Sequence, residues 1–280
     1  MHSTLRVLLN IYDYLVLYLG LAWLGMLCLA WTPIALLVYL LLPVRQGRAL
    51  GRYVIMAGFR LYLASLSVSR RCSFDLKTLD ILRDEPSLII APNHPCLLDA
   101  VMVISRLPNV ACVLKADLMN NLFLGAGARL ARYICNGSVR LMVQQAMQDF
   151  GSGSHLLLFP EGTRTISYPV NPLKGSIGLI AHHAQVPVQT ILIETDSAYL
   201  SKGWPLFRKP LMPIHYRVRL GRRFDPPQHV QNFMAELEHY FACELVQGSA
   251  FHPANSLSTQ VDLHRHDYCL DHASRPDPQL

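Results

Sequence analysis

Two short polar stretches stand directly behind apolar runs and carry side chains that can move protons. The first, "NHPCLLD" at residues 93–99, follows "SLIIAP" and places His94 five positions before Asp99. On a continuous helix this spacing separates two side chains by about 140°, so the pair can meet only if His94 precedes the helix and Asp99 lies in its early turns. A carboxylate on one imidazole nitrogen leaves the other free to accept a proton. The pattern predicts an oriented general base, although a surface histidine near an unrelated aspartate remains an alternative.

The second stretch, "LLLFPEGTR" at residues 156–164, ends an apolar run in a tight turn. Its polar end consists of Glu161, Gly162, Thr163 and Arg164. Lys115 ends a third apolar run, "VACVLK". In parallel α/β sheets, function collects beyond the carboxyl ends of the strands, so we expect these groups to lie near His94. A cation beside a general base can bind a phosphate or stabilise an oxyanion.

The elements that must position these groups follow from the alternation of short apolar runs with longer helical stretches. Strands are predicted at 87–92, 110–115, 155–160, 186–194 and 214–221, the last alternating like a half-exposed edge strand, and a short strand or turn is predicted at 132–137. Helices are predicted between them, and Pro95 suits the first turn of the helix that would cover residues 95–107. This order predicts an α/β domain in which helices flank a largely parallel sheet.

An apolar segment precedes this domain. Residues 14–42 contain no charged side chain and are long enough for one tilted membrane helix, while Thr32-Pro33 offers a re-entrant helical hairpin instead. Arginines are concentrated after the segment, so a single span would place the remainder in the cytoplasm. We divide the chain into a membrane anchor with an interfacial helix (1–70), a catalytic domain (71–247) and a polar tail (248–280).

Composition narrows the classes of partner. The chain is 51% hydrophobic and carries a net charge of +6. We interpret the positive charge as suited to binding an anionic membrane surface rather than nucleic acid. None of the seven cysteines forms a C-x-x-C pair, which favours reduced thiols. His264 and His266 in the polar tail are expected to be solvated rather than to bind a metal.

Taken together, "NHPCLLD" and "FPEGTR" resemble the two signature motifs of the lysophosphatidate acyltransferase-like family, over roughly residues 75–220. The resemblance implies that His94 deprotonates an acceptor hydroxyl and that Asp99 orients it. It also implies an acceptor-binding loop of Glu161, Gly162, Thr163 and Arg164, with Lys115 near the acceptor's phosphate. The implied function is a membrane-anchored O-acyltransferase that moves an acyl chain from acyl-CoA or acyl carrier protein to a lipid or glycerol-type hydroxyl, without metal or cofactor.

Some positions depart from the family pattern. Asn136 stands where the family has an arginine thought to hold the acceptor phosphate, so we expect lysophosphatidate to be a poor acceptor. Cys96 replaces a frequent serine, and we interpret it as a small packing residue rather than an acyl-accepting thiol. Together with "NHPCLLD", the stretch "SKGWPLF" (201–207) is similar to acyltransferases of bacterial aryl-polyene and flexirubin-type clusters, which implies a bacterial inner-membrane protein with a cytoplasmic domain.

Three alternatives remain open at this point. The chain could be a lysophosphatidate acyltransferase of ordinary phospholipid synthesis, or a hydrolase in which His94 activates water on a lipid ester or thioester. It could also be a non-catalytic membrane scaffold, although packing alone does not require His94, Asp99 and Glu161.

Overall fold

The structure, a computed structural model, describes residues 2–205 and 208–247. The tail 248–280, with His264 and His266, lies outside the described residues. The helices are α1 (His2–Leu41), α2 (Val44–Val68), a 3-10 helix (Lys77–Asp84), α3 (Asp99–Ile104), α4 (Ala116–Met119), α5 (Gly125–Leu130), α6 (Val139–Phe150), α7 (Ser176–Ala184) and α8 (Val230–Gln247). The strands are β1 (Cys72–Asp75), β2 (Ile89–Pro92), β3 (Val110–Leu114), β4 (Ile134–Cys135), β5 (His155–Leu157), β6 (Val188–Thr195) and β7 (Ile214–Phe224).

The strands form one seven-stranded sheet in the order β1-β7-β6-β2-β5-β3-β4. Neighbours run parallel except for β6 and β7, which are antiparallel. The predicted α/β fold with a largely parallel sheet is therefore confirmed. The prediction of an edge strand at 214–221 is wrong, because β7 lies between β1 and β6. Its alternation arises because Tyr216 and Val218 are buried while His215 and Arg217 are exposed.

Helices cover both faces of the sheet. One core contains Leu63 of α2 and Met102 of α3, and the other contains Ala146 of α6, Ile180 of α7 and Leu237 of α8. Every residue of β2 and β6 is buried, as expected for central strands covered on both faces. The loops that follow β2, β5 and β3 therefore emerge from a rigid layer at one edge of the sheet.

Helix α1 is long and apolar enough to cross a membrane. It runs unbroken through Pro33, so the alternative of a break at Thr32-Pro33 is wrong and the chain turns at residues 42–43 instead. Its contact with the domain extends along most of its length. Asp13 forms ion pairs with Arg71 and Lys209, and the Arg132 guanidinium lies 5.0 Å from the ring centre of Tyr39.

These contacts determine how α1 lies relative to the domain. Asp13 and Tyr39 are about 26 residues, or about 39 Å, apart on the helix axis. Since the domain touches α1 at both positions, α1 lies along the side of the domain. Its other side carries exposed apolar residues, including Leu8, Leu19 and Leu40.

Helix α2 packs as part of the domain core. Arg52 is 1% exposed and donates hydrogen bonds to the carbonyl of Ala131, to Asn109 and to Ser154, and it pairs with both carboxylate oxygens of Asp149. Every nitrogen of the guanidinium group thus has a partner, in loops at Ala131, Asn109 and Ser154 and in the last turn of α6 at Asp149. This network fixes α2 against the domain.

The cysteines agree only in part with the expected set of reduced thiols. Cys28, Cys72, Cys96, Cys112 and Cys135 are free. Cys243 is disulfide-bonded, which departs from that expectation.

Candidate active site

The structure brings His94 and Asp99 together at the carboxyl end of β2. Nδ1 of His94 lies 2.7 Å from Oδ2 of Asp99. A carboxylate can only accept this bond, so Nδ1 carries the proton and Nε2 is the basic nitrogen. The Asp99 side chain is fully buried, whereas the His94 side chain keeps 17% of its surface exposed. Among the described residues, Nε2 of His94 has no hydrogen-bond partner, so it is available to an incoming hydroxyl.

The local backbone explains how the five-residue spacing works. Residues 93–98 form a non-helical turn, and α3 begins at Asp99. His94 therefore precedes the helix and Asp99 occupies its first turn, which is the arrangement that the spacing requires. The prediction that Pro95 opens the helix is wrong, because the helix starts four residues later. The extra turn is what folds the imidazole back onto the carboxylate.

Cys96 completes the surroundings of Asp99. Its backbone N–H donates to Oδ2 at 2.8 Å, and its thiol donates to Oδ1 at 2.9 Å. Burial, and then the neighbouring Asp99 carboxylate, raise the pKa of the Cys96 thiol well above its usual value. The group therefore stays a thiol at neutral pH, which opposes a role as an acyl-accepting nucleophile. Instead it holds the carboxylate in place.

The second motif contacts both the ring and the backbone of His94 in the first. The ring of Phe159 stacks on His94 with centres 4.0 Å apart. Oε1 of Glu161 accepts the backbone N–H of His94 at 2.9 Å, and the N–H of Thr165 donates to the carbonyl of His94 at 2.7 Å. The two motif loops are thereby joined on both sides of the His94 peptide unit.

Glu161 is 1% exposed, and both of its oxygens accept hydrogen bonds from the protein. Burial raises the pKa of Glu161 above its ordinary value. The hydrogen bonds that it accepts from Asn171, Thr165 and His94 act in the opposite direction and offset part of this rise. The resemblance implies that Glu161 helps to place the acceptor, and that contact stays a prediction. In the structure its contacts act on the backbone that carries His94.

The remaining residues of the turn occupy different environments. Gly162 has φ +67°, a conformation that favours glycine, and it is exposed. Thr163 is half-buried beside it. Nη1 of Arg164 donates to the carbonyls of Leu200 and Ser201 at 2.8 and 3.0 Å. Part of the guanidinium is thus committed to the protein, and its proposed contact with substrate would use the other nitrogens.

Lys115 and Asn136 lie farther along the same edge. Lys115 is exposed directly after β3, and Asn136 is exposed directly after β4. At about 4.8 Å between neighbouring strands, β3 is about 10 Å and β4 about 14 Å from β2. Lys115 can span part of that distance with its long side chain, whereas the short amide of Asn136 cannot.

Sequence reasoning missed two residues that support this site. Asn93 pairs its side-chain amide with the backbone of Ile193, which extends the β2–β6 contact to the residue before His94. The carbonyl of Leu200 accepts both Arg164 and the N–H of Leu97, and so links the two motif loops. Leu200 adopts φ +60°, a strained conformation for leucine. Only the asparagine before the histidine gave a signal in the sequence.

A second histidine–aspartate pair exists outside this site. Nδ1 of His215 lies 2.6 Å from Oδ2 of Asp196, whose other oxygen accepts the backbone N–H of His215. These side chains are 50% and 35% exposed, in contrast to the buried Asp99. Water can reach both partners, so this pair lacks the sheltered carboxylate of the first.

Comparison with known proteins identifies the region that holds both motifs. Residues 73–194 match the family model described as Acyltransferase. This region is similar to the acyltransferase family. The resemblance to the lysophosphatidate acyltransferase-like family is confirmed, whereas the aryl-polyene and flexirubin sub-assignment stays a prediction.

Two individual relatives carry the acyltransferase comparison further. A stretch of 138 residues is 25% identical to acl-1 of Caenorhabditis elegans, which is named as a 1-acyl-sn-glycerol-3-phosphate acyltransferase. The match covers 46% of this chain and 52% of that protein, so this chain spans about half the length of that relative. The crystal structure of the 1-acyl-sn-glycerophosphate acyltransferase PlsC from Thermotoga maritima has a TM-score of 0.60 at 17% identity, over 89% of this chain and 98% of PlsC. At that identity the likeness establishes a shared fold.

Proposed function

We propose that this chain is a membrane-associated O-acyltransferase in which His94 is the general base. The observation that carries the proposal is the 2.7 Å contact between Nδ1 of His94 and the buried carboxylate of Asp99, with Nε2 left open. The acyltransferase family of the domain and the activities for which acl-1 and PlsC are named support it.

The geometry suggests a direct transfer. The acceptor hydroxyl gives its proton to Nε2 of His94 while its oxygen attacks the thioester carbonyl. The carboxylate of Asp99 stabilises the imidazolium that forms. When the tetrahedral intermediate collapses, the C–S bond breaks and the departing thiolate takes the proton from Nε2. A thioester is reactive enough for one oriented base, so no acyl-enzyme is required.

The donor is proposed to be acyl-CoA or acyl carrier protein, and the acceptor a lipid or glycerol-type hydroxyl. The names of the relatives favour lysophosphatidate. Against this, a phosphate needs a charged partner, and the family's arginine position holds the exposed amide of Asn136. We therefore expect lysophosphatidate to be a weaker acceptor than a neutral glycerolipid hydroxyl.

Asn136→Arg tests this acceptor preference. A charged hydrogen bond is worth about 1 kcal/mol more than a neutral one, so the variant should gain about fivefold in kcat/KM for lysophosphatidate. Its activity toward monoacylglycerol should change little, and Asn136→Gln is the matched uncharged control. If lysophosphatidate is already the best acceptor of the unaltered chain, this part of the proposal is wrong while the dyad stands.

We propose that α1 binds the membrane in the plane of the interface. A helix that crossed the bilayer upright would carry the domain into the lipid, because the domain contacts α1 near both Asp13 and Tyr39. The exposed apolar side of α1 would enter one leaflet instead. We place the domain on the cytoplasmic side, where thioester donors are made. The disulfide at Cys243 opposes this placement, because disulfides are more typical of the other side of the membrane.

Transfer of a labelled acyl group by the purified chain tests the whole proposal. Label should move from a thioester to a lipid hydroxyl, and much less should be released without an acceptor. His94→Ala should lower turnover by about 10²–10⁴-fold while flotation with vesicles persists. Equal release with and without an acceptor would indicate a hydrolase, and normal turnover of a folded His94→Ala variant would exclude the dyad mechanism.

A further inference from the structure

The loop between β6 and β7 connects the membrane anchor with the candidate active site. The structure describes its residues 196–205 and 208–213. Its tip is held against α1 by Lys209, which donates to Asn10 and Asp13 and whose Nζ lies 5.6 Å from the ring centre of Tyr14. Its beginning is held at the site, since Leu200 and Ser201 accept hydrogen bonds from Arg164.

The charge of the loop is mainly positive. Between residues 196 and 213 the sequence contains Lys202, Arg208 and Lys209, whereas the one acidic residue, Asp196, is paired with His215. Lys202 and Arg208 are exposed, and Arg208 lies over the ring of Trp204. Basic side chains beside a tryptophan are typical of the headgroup layer of an anionic membrane.

The loop also presents apolar surface that nothing in the described part of the chain covers. Leu211 is 91% exposed, more than any other large hydrophobic residue in that part. It lies two residues after Lys209, which joins the loop to Asn10 and Asp13 of α1. Helix α1 also has exposed apolar residues in this part, Val7 and Ile11, so the loop and the helix both present apolar side chains.

We propose that this loop is a second membrane contact, in which Leu211 enters the interface and Lys202 and Arg208 bind anionic headgroups. The proposal rests on the proposed function only through the membrane association of α1. The same loop accepts hydrogen bonds from Arg164 and from the N–H of Leu97, which lies in the turn between His94 and Asp99. Binding of the loop to the bilayer would therefore also fix these two residues beside the dyad. An acidic carrier protein is the other partner that fits the charge, but it would not explain the exposed leucine two residues after the contact of Lys209 with α1.

A fluorescent amino acid introduced at position 211 of the full chain tests the membrane contact. The chain is placed in phosphatidylcholine vesicles with or without phosphatidylglycerol, and quenching by brominated lipids is measured. Ala235, exposed on α8, serves as the control position. We expect blue-shifted emission and quenching at 211 but not at 235, with stronger quenching when phosphatidylglycerol is present.

Charge variants separate the outcomes. Lys202→Glu should abolish the gain from phosphatidylglycerol, whereas Lys77→Glu, at an exposed lysine beyond the end of β1 that lies away from this loop, should leave it intact. His94→Ala should give the same quenching as the unaltered chain, so a failure of the catalytic proposal is seen separately. Water-like emission at 211 in both vesicle types, with flotation intact, would overturn the proposal. Lipid-independent emission combined with a higher KM of Lys202→Glu for carrier-bound donors would replace the membrane with a carrier protein.

Discussion

Asp99→Asn is the substitution that most directly isolates the charge behind His94. The amide oxygen can occupy the position of Oδ2 and still accept both the His94 Nδ1–H and the Cys96 N–H. The amide nitrogen then faces the Cys96 sulfur, which can accept a weak hydrogen bond. The contacts of the His94 imidazole are therefore retained, and the variant loses the negative charge together with the acceptor of the Cys96 thiol.

The size of the effect follows from the burial of the pair. A charged hydrogen bond contributes about 1.5–3 kcal/mol, and two unit charges about 4 Å apart at an effective dielectric constant of about 20 attract by about 4 kcal/mol. Because Asp99 is fully buried, little of this is screened by water. We expect the imidazolium-like transition state to lose about 2–4 kcal/mol, so that kcat falls about 30- to 900-fold.

Transfer of a radiolabelled acyl group to a lipid acceptor, at saturating donor, measures this loss in kcat. Asp196→Asn is the matched control, because it makes the same change at the exposed His215–Asp196 pair. It should keep kcat within about twofold, since exposed ion pairs contribute little. Equal effects of the two substitutions, or near-normal transfer by a stably folded Asp99→Asn variant, would refute the idea that the buried carboxylate stabilises the protonated base.

Three further predictions concern the groups that support the site. Cys96→Ala removes one donor to Asp99 and should lower kcat by about two- to tenfold. Cys96→Ser keeps a donor and should therefore keep kcat, and equal kcat of the two variants would contradict this. Burial raises the pKa of Glu161 above that of the unfolded chain, so its contribution to stability is present at low pH and is lost as pH rises through the folded value. The Tm of the unaltered chain should therefore fall more steeply than that of Glu161→Gln as pH rises above about 4, and parallel pH profiles would count against it. Arg52→Ala leaves the buried Asp149 without its main partner and should cost about 3–5 kcal/mol in denaturant unfolding, with Arg52→Lys intermediate; a loss below about 1 kcal/mol would argue against the network.

The central elements of the fold could be predicted because each is determined by a short run of adjacent residues. The buried runs at β2 and β3 are apolar throughout, β6 has an apolar centre at residues 191–193, and the α6 and α8 periods are regular. The condition for contact between His94 and Asp99 followed from helix geometry alone. These are properties of a few adjacent residues, so no knowledge of distant parts of the chain was needed.

Properties set by distant contacts could not be predicted in this way. The edge strand β1 is four residues long and pairs with β7, about 140 positions later, so neither its presence nor the interior place of β7 is visible locally. The inward orientation of Glu161 depends on donors from His94, Thr165 and Asn171. The position of α1 along the domain depends on pairs such as Asp13 with Lys209. An aspartate near the start of an apolar helix is the one local sign of that packing.

The burial of Glu161 changes how the second motif contributes to catalysis. An acceptor-binding carboxylate would have to face the substrate, yet both oxygens of Glu161 are used within the protein, one of them on the N–H of His94. Together with the Thr165 N–H on the His94 carbonyl, this bond fixes the peptide from which the imidazole projects. Position matters because proton transfer requires the base within about 2.6–3.2 Å of the acceptor hydroxyl. The two motifs therefore form one structural unit, and in the proposed mechanism the first supplies the base while the second determines its position.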